Sequence, residues 1–212
     1  IEMLGAESPT ADVEVITVAA ELLARMGISK VKLHINSLGG PSCRKNYNEK
    51  LRTYLGENLN TLCSTCQERF EKNPLRVLDC KNETCKQIVS KAPTVLETLG
   101  EECRGHFETV KSLLHEIGIE YTVDPGIVRG LDYYTRTVFE FISTDIGAQG
   151  TICGGGRYNN LVEELGGSPT PAVGFAVGLE RLMMVIEAEN GKKDYLQKKD
   201  IFIGSIGDVA KL

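Results

Sequence analysis

The sequence has 212 residues, of which 42% are hydrophobic and 25% are charged, and its formal net charge at pH 7 is −5. This composition is typical of a soluble globular protein, and the acidic balance weakly disfavours a nucleic-acid binder, because such proteins usually carry a basic surplus. Apolar runs are too short to cross a bilayer, and the first residues lack the pattern of a signal peptide. Seven cysteines without an export signal indicate reduced thiols and a cytoplasmic location.

The first 41 residues predict a helix followed by a strand. Ser8 and Pro9 suit the N-cap and first turn of a helix, and the apolar residues that follow at helical spacing end at Gly27. Apolar and polar residues then alternate over residues 31–35, which predicts a strand. The next segment has a different pattern: helical apolar spacing recurs, alternation stops, and basic and acidic residues are roughly balanced. We therefore predict a separate, helical insertion domain.

Strand patterns return after the insertion. They predict strands at 119–123, 137–143, 151–153 and 173–177, and a helix at 179–189. Strands on both sides of a helical block indicate an α+β fold, in which an antiparallel sheet with flanking helices is interrupted by an insertion. The predicted division is 1–41 for the first part of the sheet domain, 42–118 for the insertion, 119–190 for the second part, and 191–212 for a linker and the start of a truncated further domain.

A cluster of charged and aromatic residues precedes the predicted strand at 137–143. Its sequence is Arg129-Gly-Leu-Asp-Tyr-Tyr-Thr-Arg-Thr-Val-Phe-Glu140. Loops at strand ends commonly carry binding residues. By pattern alone, Tyr133 and Tyr134 as packing residues and Arg129 as a surface ion-pair partner explain the cluster equally well.

Two glycine-bearing segments follow. Three glycines at residues 154–156, before Arg157 and Tyr158, would let a backbone approach a ligand closely. Their spacing fits neither a P-loop nor a dinucleotide fingerprint, so a tight turn before a helix is the simpler interpretation. In the second segment, Gly178 and Arg181 lie at a predicted helix start, which favours anions. An exposed Arg on a helix face is the plainer alternative.

Taken in this order, the three segments resemble histidyl-tRNA synthetases. Arg129-Gly-Leu-Asp-Tyr-Tyr134 is similar to the histidine-specific motif of that family, and Gly178-Leu-Glu-Arg181 is similar to motif 3 of class II aminoacyl-tRNA synthetases. The resemblance extends into the insertion at Asn73-Pro-Leu-Arg-Val-Leu-Asp79. It implies a class II catalytic sheet and a ligase that joins histidine to ATP, with magnesium, and then transfers histidine to tRNA(His).

The resemblance also implies roles for single residues. Arg129 would contact the α-phosphate and the histidine carboxylate, which suits a guanidinium because it is always charged and bonds two oxygens at once. Arg181, in the segment that begins at Gly178, would bind the γ-phosphate of ATP. The residues that would line the histidine pocket are Tyr133, Tyr134 and Tyr158.

Glu2 is a further histidine-binding candidate. The segment Glu2-Met-Leu-Gly5 is similar to the family pattern in which a Glu before two apolar residues and a Gly recognises the imidazole. A neutral imidazole has one donor and one acceptor, which a carboxylate and a tyrosine hydroxyl can serve together. The alternative is a frayed terminal Glu without a role.

The sequence lacks the segment that would hold motif 1, the dimer-forming element, and motif 2, with its ATP-binding Arg. It also lacks an initiator Met and most of the anticodon-binding domain. We therefore expect a homodimeric parent enzyme, and we expect the 212-residue chain itself neither to form that dimer nor to activate histidine. The alternative is a non-catalytic paralogue that binds a protein partner, like the regulatory subunit of ATP phosphoribosyltransferase. The intact Arg129 and tyrosine pair argue against that alternative.

The insertion is implied by the resemblance to reach the acceptor arm of tRNA. Basic residues are the expected phosphate contacts. The candidates are Arg44, Lys45, Arg52, Arg69 and Lys72.

Four cysteines in the insertion form two pairs at short spacing, Cys63 with Cys66 and Cys80 with Cys85. Such pairs can make a four-thiolate zinc site, and the insertion could then be a zinc-bearing nucleic-acid module. Against this, the first pair falls in a predicted amphipathic helix, where free Cys behaves as a small hydrophobe, and the second pair is spaced more widely than a common zinc knuckle. Metal-free cysteines are the favoured interpretation.

Overall fold

The computed structural model describes residues 1–78, 80–127, 133–145 and 150–191, together with 201, 204 and 207. Within this part of the chain, six strands form one sheet: β1 (Glu2–Leu4), β2 (Val31–Ser37), β3 (Tyr121–Val123), β4 (Thr135–Ser143), β5 (Thr151–Arg157) and β6 (Ala172–Val177). Their order is β1-β6-β5-β4-β2-β3, and every neighbouring pair is antiparallel except β2 and β3. Arg129 and most of the predicted linker and further domain at 191–212 lie outside the described residues.

Helices flank the sheet and fill the segment between β2 and β3. They are α1 (Pro9–Arg25), α2 (Pro41–Glu57), α3 (Ser64–Lys72), α4 (Glu83–Val89), α5 (Glu101–Glu116), α6 (Leu161–Glu164) and α7 (Leu179–Asn190). Short 3-10 turns at Leu59–Thr61, Pro74–Val77 and Val95–Thr98 connect the helices between β2 and β3. The arrangement confirms the predicted α+β fold.

The start and end of α1 follow from local chemistry. The Ser8 hydroxyl accepts a hydrogen bond from the Thr10 backbone N–H, and Pro9 occupies the first turn, where its missing N–H costs nothing. At the other end, Gly27 adopts φ +77°, a left-handed conformation that glycine takes without steric cost. The predicted bounds of this helix are confirmed.

The main hydrophobic core covers one face of the sheet. Residues of α1, α5 and α7 bury apolar side chains there, including Ile16, Phe107 and Leu182, against strand residues such as Phe139 and Phe175. Among the described residues, the opposite face carries a small cluster around Tyr134 and Tyr158. The first face therefore holds the main core, and the second, which we call the open face, is covered less by the described part of the chain.

The inserted segment has a second core of its own. Its buried residues run from Tyr47 to Val95, whereas Phe107, Val110 and Leu114 of α5 belong to the main core. Helix α5 also packs on α1. We therefore propose that the inserted unit ends near residue 98 and that α5 belongs to the sheet domain, although its sequence had placed it in the insertion.

Two strands differ from the sequence-based expectation. Residues 154–156 were predicted to form a tight turn before a helix, but they lie inside β5, paired on both sides. Strand β1 was not predicted at all, and it pairs with β6 at the sheet edge. In the described part of the chain, no helix combines the length and apolar character that a membrane crossing requires.

Candidate active site and cysteine cluster

Four small residues, Gly154, Gly156, Gly174 and Ala176, form a floor on the open face of the sheet, which we call the glycine floor. In β5, Cys153 faces the main core, so the alternate residues Gly154 and Gly156 face the open side. Cross-strand pairing aligns Val138, Gly156, Gly174 and Glu2 in one row, and Glu140, Gly154 and Ala176 in the next. The rows are two residues apart, a distance of about 6.6 Å along a strand. A flat ligand can therefore lie against the backbone here.

Two of these glycines allow neighbouring groups to approach closely. A Cβ atom at Gly174 would lie 2.5 Å from the Ile1 carbonyl oxygen and would overlap the Glu2 carboxylate. At Gly156 it would lie 2.7 Å from the Thr137 carbonyl oxygen and 3.0 Å from the Tyr134 ring. A larger residue at either position would displace Glu2 or Tyr134 from the sheet.

The predicted histidine-binding residues meet at one end of this floor. The Tyr158 hydroxyl donates a hydrogen bond to the Glu2 carboxylate. The ring centroid of Tyr133 lies 4.7 Å from that of Tyr134 and 5.6 Å from that of Tyr158. Tyr134 and Tyr158 are buried, while Glu2 is exposed. The structure thus brings together four of the five predicted residues, and the fifth, Arg129, lies outside the described part.

Glu2 is held by an ordered strand rather than by a frayed end. The Ile1 amino group donates to the Phe175 carbonyl at 2.9 Å, and the Phe175 N–H donates back to the Ile1 carbonyl at 2.9 Å. The backbone of Glu2 is therefore ordered and not frayed, and its role in binding histidine stays a prediction.

The predicted ATP-binding residues lie at the other end of the floor. Arg181, in the first turn of α7, donates to the Thr151 carbonyl at 2.8 Å, and the Gly178 N–H donates to the Ile152 carbonyl at 3.0 Å. Both residues line a cleft of about 460 Å³ together with Gly154 and Glu140. The Glu140 carboxylate accepts a hydrogen bond from the Thr151 hydroxyl at 2.7 Å. Because Gly154 belongs to the floor, this cleft opens onto the same sheet face as the tyrosines.

A second cleft, of about 480 Å³, separates α2 from the tyrosine cluster. Arg44, Lys45 and Arg52 line one side of it and Tyr133 lines the other. The Arg44 guanidinium donates to the Tyr134 carbonyl, so it is tied to the histidine end of the floor. Lys72 is exposed on α3, and Arg69 donates to the Arg76 carbonyl at 3.0 Å. The five basic candidates thus divide between the cleft and α3.

A buried ion network beneath the tyrosines was missed by sequence reasoning. The fully buried Arg157 guanidinium donates to the fully buried Asp12 carboxylate at 2.9 Å and 3.0 Å, and to the Ala6 and Ser8 carbonyls. The Nε2 atom of His106 lies 2.8 Å from Oδ2 of the same carboxylate, an oxygen that also accepts from Arg157. The network therefore fastens β5 to α1 and α5 directly beside Tyr158.

The network continues to the surface through Arg136. Its guanidinium lies 3.2 Å from His106 Nδ1 and forms an ion pair with the exposed Glu102. Since arginine only donates, Nδ1 accepts, and the tautomer with hydrogen on Nε2 satisfies both histidine contacts. A bulge in β4 places Arg136 at φ +48°, two residues after Tyr134. The network thus includes a residue next to Tyr158, Arg157, and a residue two positions after Tyr134, Arg136.

One signal in the sequence could have revealed this network. Asp12 lies on the apolar face of α1, one turn before Ile16 and two turns before Ala19, all of them buried. A carboxylate on a core face indicates a buried cationic partner, because an unpaired charge there is too costly. The identity of that partner, 145 residues away, could not be inferred.

The four cysteines of the insertion converge in space. Their Sγ atoms all lie within 4.8 Å of one another, and those of Cys63 and Cys80 are 3.9 Å apart. Cys63 is the N-cap residue of α3 and not part of the helix, so the helical explanation of the first pair is only half correct. A hydrogen bond from the Cys66 backbone N–H lowers the pKa of the Cys63 thiol to about 7, whereas burial raises the pKa of Cys66.

Known proteins resemble this chain over its whole length. A family model described as histidyl-tRNA synthetase matches residues 1–182. The histidine–tRNA ligase of Acetivibrio thermocellus is 55% identical over 99% of this chain and 50% of its own length. That of Caldanaerobacter subterraneus subsp. tengcongensis is 52% identical over 100% of this chain and 51% of its own length. The chain therefore spans about half the length of these curated relatives.

Solved structures agree with the sequence comparison. The crystal structure of apo S. aureus histidyl-tRNA synthetase is 38% identical, has a TM-score of 0.71, and is matched over 99% of this chain and 51% of that one. A Bacillus halodurans protein described as an ATP phosphoribosyltransferase regulatory subunit/histidyl-tRNA synthetase is 26% identical, with a TM-score of 0.56 over 90% of this chain and 52% of that one. By sequence and by fold, this chain belongs to the histidyl-tRNA synthetase family.

Proposed function

We propose that this chain supplies the histidine pocket and part of the ATP site of a cytoplasmic histidine–tRNA ligase. The observation that carries the proposal is the Tyr158–Glu2 hydrogen bond at one end of a glycine floor whose other end meets Arg181. Glu2 and Tyr158, which would bind the histidine side chain, and Arg181, which would bind the ATP phosphates, then lie on the same face of one sheet. The resemblance further implies that the full-length ligase is a homodimer.

Histidine recognition would use the Glu2 carboxylate and the Tyr158 hydroxyl. Glu2 would accept a hydrogen bond from the N–H of one imidazole nitrogen, and the Tyr158 hydroxyl would turn its single hydrogen from Glu2 to donate to the other nitrogen. The rings of Tyr133 and Tyr134, whose centroids lie 4.7 Å apart, would together form one wall beside the imidazole. A site built on such hydrogen bonds rejects amino acids that lack the imidazole nitrogens, because its own polar groups would then be left without partners.

ATP would lie along the glycine floor towards Arg181. Its guanidinium would bind the γ-phosphate, and Arg129 would bind the α-phosphate and the histidine carboxylate. Magnesium takes oxygen ligands together with substrate phosphates, and the Glu140 carboxylate in the same cleft fits as such a ligand, where the ion would neutralise phosphate charge.

The reaction then needs positioning and charge stabilisation more than acid–base groups. A carboxylate oxygen of histidine attacks the α-phosphorus of ATP, and the bond to the β-phosphate bridging oxygen breaks with release of pyrophosphate. Negative charge builds on the α-phosphate oxygens, where fixed guanidinium groups are most effective. The histidyl-adenylate that forms is then consumed by a ribose hydroxyl of tRNA, which releases AMP.

The histidine pocket can be tested by Glu2→Gln and Tyr158→Phe in a full-length ligase that carries this chain. Each variant removes one hydrogen-bonding function of the pair, and hydrogen bonds to charged groups contribute about 1.5–3 kcal/mol. We expect KM for histidine to rise at least about tenfold in each, with KM for ATP unchanged. Steady-state pyrophosphate exchange measures both constants. Glu14→Gln, at an exposed position of α1, is the matched control. If the KM of Glu2→Gln for histidine equals that of the unmodified ligase, Glu2 does not belong to the pocket.

The tRNA surface can be tested by replacing Lys45, Arg52 and Lys72 with Ala together. All three are exposed, and we expect slower aminoacylation with unchanged adenylate formation. The slope of log binding constant against log salt concentration should become less steep by about 1 for each phosphate that the variant no longer binds. Lys50→Ala, also exposed on α2, is the control. Equal losses in both steps would mean that these residues act through stability instead of tRNA.

Arg44 is expected to behave differently from the other basic candidates. Because its guanidinium binds the Tyr134 carbonyl, Arg44→Ala should disturb the histidine pocket and lower adenylate formation as well as aminoacylation. Measuring the two steps separately distinguishes this outcome from a pure loss of tRNA binding.

A regulatory, non-catalytic role is the second candidate. The likeness to the Bacillus halodurans protein, whose description includes a regulatory subunit, favours it. Histidine-dependent pyrophosphate exchange decides between the two, since a regulatory subunit would not release pyrophosphate from ATP.

A further inference from the structure

We propose that Cys63, Cys66, Cys80 and Cys85 bind one structural zinc ion. The four residues belong to the inserted unit and lie outside the glycine floor and both clefts. Their sulfur atoms converge within 4.8 Å, although the two pairs are separated by thirteen residues of chain. The proposal is independent of histidine or ATP binding.

The sulfur geometry fits a single metal ion. With zinc–sulfur bonds of about 2.3 Å, a regular tetrahedron has sulfur–sulfur edges of about 3.8 Å. The Cys63 and Cys80 sulfurs are 3.9 Å apart, close to that edge and far from the roughly 2.05 Å of a disulfide. All four thiols are free. A cluster of several iron ions would hold its sulfur ligands further apart than one ion does, so the spacing favours a single ion, and four thiolates at tetrahedral spacing are a common structural zinc site.

The local chain conformation places the ligands at the ends of helices. Cys63 caps α3 and Cys66 lies in its first turn, while Cys85 lies in the first turn of α4. Between them, Asn73 accepts a hydrogen bond from the Leu75 N–H, and the 3-10 turn Pro74–Val77 reverses the chain and returns Cys80 to Cys63. The break at Pro74 thus brings the two pairs face to face.

Backbone N–H groups already point at the sulfur atoms. The Cys63 N–H donates to Cys85 Sγ at 3.3 Å, and the Asn82 N–H donates to Cys80 Sγ at 3.5 Å. Zinc is bound by thiolates, and hydrogen bonds to thiolate sulfur stabilise that charge and orient the ligands. Half of the set, Cys66 and Cys85, is fully buried, and the other half is reachable from solvent, which provides a route for the ion to reach the site.

The ion would have a structural role. Four protein ligands leave no open coordination position for a substrate. The inserted unit has a small core and short helices, with nine residues in α3 and seven in α4. Small units of this kind gain much of their folding free energy from metal binding, because the unfolded chain does not present a preformed site. Zinc would therefore fix α3 to α4.

The experiment measures metal content and stability on the unmodified chain. We expect one zinc per chain by elemental analysis after purification under reducing conditions, and a lower Tm after chelation that added zinc restores. Cobalt replacement should give the visible absorption of a tetrahedral thiolate site. Cys80→Ser, at a half-buried ligand, should lose the metal, while Cys43→Ser should retain it, because Cys43 lies in a different cluster with Cys103.

Alkylation keeps the proposal testable if Cys80→Ser does not fold. In the unmodified chain, zinc should slow alkylation at the four ligands and leave the rates at Cys43, Cys103 and Cys153 unchanged. Absence of zinc in the purified chain together with failure to take up added zinc would overturn the proposal. Iron in place of zinc, or metal retained by Cys80→Ser at one ion per chain, would overturn it as well.

Discussion

Asp12→Ala is expected to lower the free energy of unfolding by about 3–5 kcal/mol, the range found when one partner of a buried ion pair is removed. The Arg157 guanidinium is fully buried and would lose three of its hydrogen bonds to a fully buried carboxylate, while His106 would lose its acceptor. Since natural domains are stable by only about 5–15 kcal/mol, such a loss brings the chain close to unfolding. Urea denaturation followed by circular dichroism measures the difference.

Two further variants separate charge from packing. Glu14→Ala removes an exposed carboxylate from the same helix and should change stability by less than about 0.5 kcal/mol. Adding Arg157→Met to Asp12→Ala should make the chain more stable than Asp12→Ala alone, because the uncompensated charge is gone. If the double variant is instead less stable than either single one, the Arg157 bonds to the Ala6 and Ser8 carbonyls matter more than its pairing with Asp12.

Elements set by neighbouring residues were predictable. Helix α1 begins at the predicted N-cap, and β2 and β6 contain the residues that alternation and apolar runs had predicted. In these cases the cap, the turn glycine and the apolar spacing lie within the element itself. The family motif also brought Tyr133, Tyr134, Tyr158 and Glu2 into one hypothesis, and the four residues meet in the structure.

Features that depend on distant residues were not predictable. Strand β1 has three residues and becomes a strand only by pairing with β6, about 170 positions later, so no local alternation marks it. Residues 154–156 have low strand propensity, yet they occupy β5 because they pair with β4 and β6 on both sides. At Gly155 and Gly156 the neighbouring strands leave no room for a Cβ atom. Arg157, the partner of Asp12, could not be predicted either, because it lies 145 residues away in the sequence.

The four cysteines of the insertion show what can be predicted from sequence spacing and what cannot. Spacing identified the four residues whose sulfur atoms converge, but it could not decide between a helix surface and a metal site. The convergence depends on the chain reversing between Cys66 and Cys80, and on Cys63 lying before α3 instead of inside it. Both features depend on the path of the backbone, which cannot be inferred from the number of residues between the cysteines.

Arg129→Ala is expected to lower the rate of histidyl-adenylate formation by at least about 100-fold in a full-length ligase that carries this chain, the scale of losing one charge-stabilising donor. The motif Arg129-Gly-Leu-Asp-Tyr-Tyr134 carries this expectation, and Arg129 itself lies outside the described residues. We propose from the motif that Arg129 acts on the α-phosphate and the histidine carboxylate.

Arg129→Lys tests whether charge alone is enough. A lysine keeps the positive charge but binds as a single point, so it should recover little of the lost rate if the guanidinium contacts the α-phosphate and the histidine carboxylate together. Arg25→Ala, which removes an exposed guanidinium that pairs with Glu21 one turn earlier in α1, should leave pyrophosphate exchange unchanged. Single-turnover adenylate formation and histidine KM should be measured in all three variants. A near-normal rate for Arg129→Ala would exclude this residue from the chemical step, whereas full rescue by Lys would reduce its role to a simple charge beside the phosphate.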